Sequence, residues 1–387
     1  MDEHILKLLQ TEVECVLPEI TQIRHRLHAE PELGLETETT AYAIRRLLAD
    51  ASVSLWQPLM GNDVIGEIGG GGDRTICLRA DIDALPIQEE SDLPYRSTIP
   101  GRMHACGHDG HTAMLLGAAM VLDKLRDRLP VGVRFVFQPG EEVWCAGREL
   151  VARGACDSCE AAYAIHGWPG LPLGCVSTRV GPLFAAGAHF DIRVRGKGCH
   201  GAMPEAGNNP IPIAARIVEA LRRMHVEMSA EDGTVVSTCV FQAGSSSNVI
   251  PETALVRGTA RYLAREKADR VENAIRSVAI EAAHEACAEV EIDYDRSYDL
   301  PVINTRKGVD AVRRIARSYM PASTWREAEH PTMGMEDFAF YLQGREGAMV
   351  WLGLGESAPG LHSPVFDFND GVLGTGILLL CLLALHS

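Results

Sequence analysis

Acidic and imidazole side chains stand at or just beyond the ends of predicted strands in this sequence. These residues are Asp81, Asp83, Glu141, Glu142, His166 and His362. In an open α/β sheet, ligands bind outside the carboxyl ends of the strands, so we expect these side chains to meet at one edge of the sheet. Carboxylate oxygens and imidazole nitrogens are ligands of divalent transition metals. The pattern therefore predicts a metal centre.

The segment Met103–His111 reads MHACGHDGH and lies directly before a predicted helix. It adds a thiol, further imidazoles and a carboxylate to the same region of the chain. A cysteine and a histidine two residues apart can bind one ion or two adjacent ions. We expect Cys106 and His108 to be ligands, whereas His104 and His111 could equally support the ligands or fill space.

The elements that would position these residues follow from the spacing of apolar residues. Two helices are predicted within the first fifty residues, and short apolar strands then alternate with helices, a rhythm typical of an α/β sheet. From about Phe184 the pattern changes to strand, helix, strand, strand, helix, strand, which is the order of a ferredoxin-like unit. We predict a mixed-sheet α/β catalytic domain, residues 1–182 and 297–387, interrupted by an inserted α+β domain at 183–296.

Composition and charge exclude several classes of function. The 387 residues include 36 Lys and Arg against 52 Asp and Glu, a formal net charge of −16. Phosphate backbones and anionic lipids repel so acidic a chain, so we expect neither a nucleic-acid partner nor a membrane. The 11 cysteines favour reduced thiols. The N-terminal segment begins with acidic residues where a signal peptide has basic ones, and the apolar run Gly376–Leu385 is too short to span a bilayer, so we expect a cytoplasmic protein.

Two other patterns carry no function in this interpretation. The glycine run Gly69–Gly72 lacks the G-x-G-x-x-G spacing of a dinucleotide site and leads into a strand, so it predicts a turn. Cys156 and Cys159 are spaced like a redox or zinc pair, but no second pair accompanies them, so we expect ordinary thiols.

An ordered set of motifs gives the chain a family resemblance. The motifs, spread over nearly its whole length, are HRLHAEPE from His25, LRADIDALP from Leu78, MHACGHDGHTA from Met103, FQPGEE from Phe137, GKGCHGAMP from Gly196, NVIP from Asn248, GMEDF from Gly334 and LHSP from Leu361. The sequence resembles the M20 metallopeptidase family, in the branch of hippurate hydrolases, N-acyl-amino-acid amidohydrolases and plant auxin-conjugate hydrolases.

The resemblance implies two divalent metal ions. Zinc, manganese, cobalt or nickel could occupy such a site, because selectivity among them often follows availability. The ligands carried over from the family are Cys106, His108, Glu142, His166 and His362. The resemblance also implies that the inserted domain serves as a lid or a dimerisation domain, and hence a homodimer or a higher homo-oligomer.

The resemblance also implies roles beside the metal ligands. Glu141 takes the place of the general base, and Asp83 that of an aspartate that supports the site from behind. His200 corresponds to a histidine of the inserted domain that reaches over the substrate from the partner subunit and donates to the oxyanion. Asn248 and Arg261 are weaker candidates for binding the carboxylate of the substrate.

The chemistry of amide hydrolysis explains why metal and glutamate would act together. A glutamate of pKa ~4.3 lies about 11 pKa units below free water, but only ~3 units below water whose pKa a metal has lowered to about 7. We therefore expect a metal-dependent amidohydrolase that cleaves small N-acyl amino acids by activated water, with Glu141 as the base.

Several alternatives remain open. A dipeptidase or an N-acetyl-diaminopimelate deacylase could use the same site. Cys106 could instead be a nucleophile with His108 or His111 as its base, and an inactive metal-binding homologue is a further alternative. Trp144 and Cys145 stand where small residues are frequent in the family, so the substrate preference stays open.

Overall fold

The computed structural model describes residues 3–72, 74–321 and 324–387. The chain divides into two compact units. The first comprises the described residues of Met1–Leu183, Val302–His330 and Asp337–Ser387, and the second comprises Phe184–Pro301 and Pro331–Glu336.

The elements are numbered here in chain order. The α-helices are α1 (Glu3–Ala29), α2 (Glu38–Asp50), α3 (His108–Lys124), α4 (Glu141–Trp144), α5 (Ala146–Ala152), α6 (Pro210–Asp232), α7 (Ala268–Glu285), α8 (Arg306–Tyr319) and α9 (Leu373–Leu385). The strands are β1 (Ser54–Leu55), β2 (Val64–Ile68), β3 (Thr75–Asp81), β4 (Gly132–Gln138), β5 (Cys159–Trp168), β6 (Val176–Thr178), β7 (Gly181–Phe184), β8 (Ala186–Arg195), β9 (Cys199–His200), β10 (Val235–Ala243), β11 (Val249–Ile250), β12 (Thr253–Tyr262), β13 (Glu289–Asp295), β14 (Val302–Asn304), β15 (Trp325–Glu327) and β16 (Glu346–Gly353).

The first unit is built on an eight-stranded mixed sheet with the order β1-β2-β4-β3-β5-β16-β6-β15. Its centre is parallel, because β3 pairs in parallel with β4 and β5, and β5 pairs in parallel with β16. These central strands are almost entirely buried, as expected for parallel strands covered on both faces. Helix α3 contacts both α1 and α9 and is itself buried on nearly all sides.

The second unit has β8, α6, β10, β12, α7 and β13 in that chain order. Its four-stranded sheet runs β10-β12-β8-β13 with every neighbour antiparallel. Buried residues alternate with less buried ones along β8 and β12, and apolar residues of α6 and α7 complete the core. This is the ferredoxin-like arrangement. Strands β9 and β11 form a separate antiparallel pair.

The predicted mixed-sheet α/β fold is confirmed, and two local differences affect the site. The spacing of apolar residues predicts a helix over His111–Leu125, but helix α3 begins at His108. The reason is that Gly107 adopts a left-handed φ of 87° and turns the chain directly into the helix. Strand β5 continues to Trp168, so His166 lies within the strand instead of after it. The extension follows from β16, which pairs with β5 as far as Trp168.

The division into units also differs from the boundaries expected from the sequence. The second unit takes in residues 331–336, which the sequence placed in the catalytic domain. The backbone N–H of Ala185 donates to the oxygen of Gly334, and this bond ties the returning segment to the start of the second unit. Among the described residues, no helix combines the length and the apolar character that crossing a membrane requires.

Candidate metal centre

The first unit brings the ligand candidates to the carboxyl edge of its parallel strands. Cys106 stands in the turn before α3, and His108 is the first residue of that helix. Both side chains are buried, with residue exposures of 7% and 1%. The side chains of His166 in β5 and Glu142 in α4 reach the same place.

A main-chain contact fixes the orientation of the His108 imidazole. Its Nδ1 lies 2.8 Å from the carbonyl oxygen of Asp83, to which it can only donate. In the neutral form of the ring, which is the form that binds a metal, the lone pair is therefore on Nε2. That atom is buried and has no hydrogen-bond partner among the described residues, while Glu142 Oε1 lies 3.9 Å away.

His166 is oriented in the same manner. Its Nδ1 lies 2.8 Å from the carbonyl oxygen of Gly167, so the ring donates there and turns Nε2 toward Cys106. Nε2 lies 3.6 Å from Cys106 Sγ. Since a Zn–S bond is ~2.3 Å and a Zn–N bond ~2.0–2.1 Å, one ion could bind both atoms at this separation.

His362 approaches from the loop after β16. Its Nε2 lies 3.4 Å from Glu142 Oε1, and its side chain is 51% exposed. The residue has a φ of 63°, which is uncommon for a side chain other than glycine and is found at functional sites. The His362 N–H donates to the oxygen of Ala105, so the loop is tied to the residue that precedes Cys106.

Asp83 holds the paired glutamates from beneath. Its two carboxylate oxygens accept the N–H groups of Glu141 at 3.0 Å and Glu142 at 3.2 Å, at the start of α4. A carboxylate at a helix N-terminus satisfies donors that the helix leaves unpaired. Asp83 therefore positions both glutamates. Glu141 itself is 7% exposed, and its carboxylate is grouped with the ligand atoms of His108 and Glu142.

The arrangement fits two metal ions. Cys106, His108 and His166 offer ligand atoms within 4.8 Å of one another, and so do Cys106, Glu142 and His362. The two groups share the Cys106 thiol. The buried Nε2 of His108 lacks a hydrogen-bond partner among the described residues, which suits a nitrogen that binds a metal. These five residues would hold the ions.

Electrostatics disfavour a free thiolate at Cys106. Burial, together with the carboxylates of Glu142 and Glu141, raises the pKa of the Cys106 thiol well above its usual value. A nucleophilic cysteine needs the opposite shift. The pKa of Glu142 is lowered although burial alone would raise it, because the imidazoles of His362 and His108 outweigh the burial. The site thus favours anionic carboxylate at Glu142 and, without a cation, neutral thiol at Cys106.

Beneath the site lies a buried polar network that sequence reasoning did not identify. The Arg79 guanidinium donates to Gln138, to Asp81 at 2.8 Å and to Asp337 at 2.7 Å. Asp337 also accepts from Gln138 and from the Gly147 N–H. The sequence did contain a signal for this network, because Arg79 stands inside an otherwise apolar strand. A charged residue in a strand that is buried on both faces must be paired.

A second network ties α1 to the start of α3. Arg24 Nη1 lies 3.0 Å from Asp109 Oδ2, and His28 Nδ1 lies 2.9 Å from the same oxygen. His28 Nε2 lies 3.3 Å from Glu89 Oε1. These contacts anchor Asp109, the neighbour of His108. Arg24 and His28, four residues apart on the apolar face of a predicted helix, were the signal that could have predicted this, because buried charged groups must be paired.

The second unit contains the remaining candidates. His200 in β9 is exposed and pairs with Val249, and the Gly201 N–H donates to the oxygen of Asn248, so His200 and Asn248 lie together. Arg261 lies at the other end of β12, opposite Gly187. A strand rises ~3.4 Å per residue, so Arg261 lies about 27 Å from Thr253. Thr253 is at the end of β12 that follows Asn248 in the chain. Within one unit, Asn248 and Arg261 cannot bind the same small carboxylate.

Trp144 and Val143 directly follow the paired glutamates and are 65% and 57% exposed. Cys145 ends α4 in a left-handed conformation, with φ 50°, and its side chain is buried. The indole of Trp144 lies against Gly34. Two large apolar side chains thus face outward next to a ligand.

The cysteine pair set aside on sequence grounds is buried. Cys156 and Cys159 are both free, and the Cys156 thiol is hydrogen-bonded to Cys159 and to Cys77. No metal-ligand group found among the described residues includes them.

Comparison with known proteins agrees with this geometry. The model of the peptidase family M20/M25/M40 matches residues 77–386. The N-acetylcysteine deacetylase of Bacillus subtilis (strain 168) is 36% identical over 357 residues, which cover 92% of this chain and 93% of the relative. The IAA-amino acid hydrolase ILR1-like 4 of Arabidopsis thaliana is 33% identical over 366 residues, 92% of this chain and 83% of the relative.

A solved structure is similar over nearly the whole chain. The YXEP protein of Bacillus subtilis, described as a dinuclear metal-binding peptidase from the M20 family, is 34% identical with a TM-score of 0.82. The match covers 96% of this chain and 98% of that one. The predicted family resemblance is confirmed: the chain belongs to peptidase family M20/M25/M40 and is a metal-dependent hydrolase of amide bonds.

Proposed function

We propose that this protein hydrolyses the amide bond of N-acyl amino acids, of the N-acetyl or hippurate-like kind, and releases a carboxylic acid and an amino acid. The observation that carries the proposal is the convergence of two metal-ligand groups on Cys106, with the carboxylate of Glu141 beside them. The relatives named for N-acetylcysteine and for IAA-amino acids, both N-acyl amino acids, support the substrate class.

The ions, when bound, would lower the pKa of water and polarise the acyl carbonyl. The residues of this chain do the rest. Glu141 accepts a proton from the attacking water at its carboxylate and then donates that proton to the departing amino-acid nitrogen. Asp83 keeps Glu141 and Glu142 in place through their N–H groups. We further propose zinc, manganese, cobalt or nickel as the ions.

His200 is proposed as the donor that stabilises the oxyanion, acting from a partner chain. Its Nδ1 accepts the Ala202 N–H at 3.1 Å, so the proton of the neutral ring is on the exposed Nε2, where it can be donated. Self-association would use the open edge of β10, which pairs with β12 alone among the residues that the structure describes and exposes 44% of Phe241. Asn248 near His200 and the half-buried Arg261 stay candidates for the substrate carboxylate, in different places.

A dipeptidase or an N-acetyl-diaminopimelate deacylase would use the same residues, so only substrates separate these activities. A cysteine nucleophile has less support, because the raised pKa of Cys106 leaves little thiolate.

A hydrolysis screen tests the proposal. The purified protein is treated with EDTA, resupplied separately with Zn²⁺, Mn²⁺, Co²⁺ or Ni²⁺, and assayed on N-acetyl amino acids, hippurate, indole-acyl amino acids and dipeptides. We expect no turnover after EDTA and metal-restored cleavage of the N-acyl amino acids. Cys106→Ser serves as the ligand variant and Cys287→Ser, at an exposed thiol, as its matched control.

Preferential cleavage of dipeptides would replace the proposed activity by the dipeptidase alternative. EDTA-resistant activity that thiol alkylation abolishes would overturn the metal mechanism in favour of a cysteine nucleophile.

A further inference from the structure

The parallel strands β3 and β5 separate next to the metal centre. Their register runs to the pair Arg79 and Ala164 and stops there. Both strands nevertheless continue, β3 to Asp81 and β5 to Trp168. The main chain around Gly167 therefore lacks a β3 partner at the point where β5 carries the ligand candidate His166. A crevice of this kind, where strands diverge, is where α/β sheets bind ligands.

The side chain of His111 fills this gap. Its Nδ1 lies 2.7 Å from Asp81 Oδ1, on the last residue of β3, and the N–H of Gly167 in β5 donates to its Nε2 at 2.8 Å. His111 is only 2% exposed. One imidazole thus bridges the two strands where their own hydrogen bonds have ended.

These two bonds fix the protonation of the ring. A backbone N–H can only donate, so Nε2 of His111 carries a lone pair and the ring proton is on Nδ1, where it is donated to Asp81. Although Asp81, His108 and His111 lie close enough to hold an ion, both nitrogens of His111 are already engaged. His111 is therefore not available as a ligand.

The contact bears directly on His166. The Gly167 N–H belongs to the peptide that joins it to His166, and the Gly167 oxygen accepts from His166 Nδ1 at 2.8 Å. The His111 and His166 rings lie 4.7 Å apart between centroids. At the other end, the Arg79 guanidinium holds Asp81 at 2.8 Å. A continuous series of hydrogen bonds therefore connects the Arg79 guanidinium to the main chain that orients the His166 ring.

We propose that His111 is a positioning residue: through its bond to the Gly167 N–H it sets the direction of the His166 nitrogen toward the ion shared with Cys106. The inference rests on the metal-binding role of His166 in the proposed function. Replacement of a group that orients a metal ligand typically weakens metal binding by about 10–100-fold.

Two substitutions of similar polarity separate this role from a general structural one. The carboxamide of His111→Asn reaches about as far as Nδ1 of the imidazole, so it can meet Asp81 but not Gly167. The longer side chain of His111→Gln places an acceptor near the position of Nε2 and can keep the Gly167 bond. We expect the metal-free His111→Asn protein to bind Co²⁺ about 10–100-fold more weakly at the site containing His166. His111→Gln should stay within about 3-fold of the parent protein.

The measurement is a Co²⁺ titration of the EDTA-treated full chain, followed by the visible Co²⁺ bands and the thiolate-to-metal absorption of Cys106, with circular dichroism to establish folding. Val309→Ala, at a fully buried position of α8, serves as the destabilised control and should leave both absorptions unchanged. Parent-like affinity and spectra in His111→Asn would overturn the inference, as would equal weakening in His111→Asn and His111→Gln. A parent protein that binds Co²⁺ but hydrolyses no N-acyl amino acid would refute the proposed function alone.

Discussion

Protonation of the buried His28 makes the stability of the protein depend on pH. The imidazole is fully buried, 2.9 Å from Asp109 and 3.3 Å from Glu89. Burial alone would lower the pKa of His28, but hydrogen bonds and attraction from Asp109 and Glu89 outweigh it and raise the pKa to about 9, from 6.5. The folded protein therefore keeps this proton at a pH where the unfolded chain has lost it.

The size of the effect follows from this shift. About 2.5 pKa units at 1.36 kcal/mol per unit correspond to roughly 3 kcal/mol. Because the folded-state pKa is the higher one, the stabilisation is fully present below pH 6.5 and is lost as the pH rises through about 9. His28→Gln removes the titrating group while leaving a polar side chain.

Urea unfolding of the EDTA-treated parent and His28→Gln proteins at pH 6, 7, 8 and 9.5 measures this loss. The difference in unfolding free energy between the two proteins should shrink by roughly 3 kcal/mol across the series. Other titrating groups are common to both proteins, so their contributions cancel in the difference. A difference that stays constant with pH, or grows as the pH rises, would refute the proposed charged state of His28.

Two further substitutions test the packing beneath the metal centre. Arg79→Met leaves the buried carboxylates of Asp81 and Asp337 without their guanidinium, so we expect the unfolding free energy in urea to fall by about 3–5 kcal/mol. Gly167→Ala adds a Cβ that would lie 2.7 Å from a ring carbon of Phe368, so we expect a loss of roughly 1–3 kcal/mol in the same assay.

The matched control for Arg79→Met is Arg74→Met. Arg74 pairs with Glu160 at 3.7 Å, and both side chains are more than half exposed. An exposed pair of this kind contributes about 0–1 kcal/mol. Equal losses in the two arginine variants would contradict the burial argument, and parent-like stability of Gly167→Ala would show that the strand can shift to accommodate a side chain.

The ligand candidates could be predicted from sequence because their positions follow from local patterns. Glu141 and Glu142 stand directly after an apolar strand, and Cys106 and His108 stand in a short polar segment before a helix. Parallel strands deliver such residues to one sheet edge. The structure places all of these side chains together with His166 and His362.

The supporting contacts could not be predicted in the same way. The role of His111 depends on where β3 and β5 stop pairing, which is set by the register of distant strands and not by local periodicity. Arg79 donates a hydrogen bond to Asp337, which lies 258 positions later in the sequence. Local patterns identify which side chains can bind a metal or transfer a proton, whereas the hydrogen-bond partners of those side chains follow from tertiary packing.

The first residue of helix α3 could not be predicted from the local sequence pattern either. The spacing of apolar residues predicts a start at His111, and the residues just before it are polar and include two glycines. The left-handed Gly107 starts the helix at His108 instead, and the early turn is held by His108 and Asp109 contacts to distant residues. Tertiary contacts thus outweigh the weak helical propensity of this segment.

Glu141→Gln tests the central claim most directly, because it removes the proposed base while leaving Cys106, His108, Glu142, His166 and His362 in place. Metal content and turnover of an N-acyl amino acid are measured on the same metal-reconstituted preparations of variant and parent. We predict equal metal content and a fall in kcat of at least about 100-fold. Parent-like turnover by Glu141→Gln, or full activity of the parent protein after removal of all metal, would contradict the account.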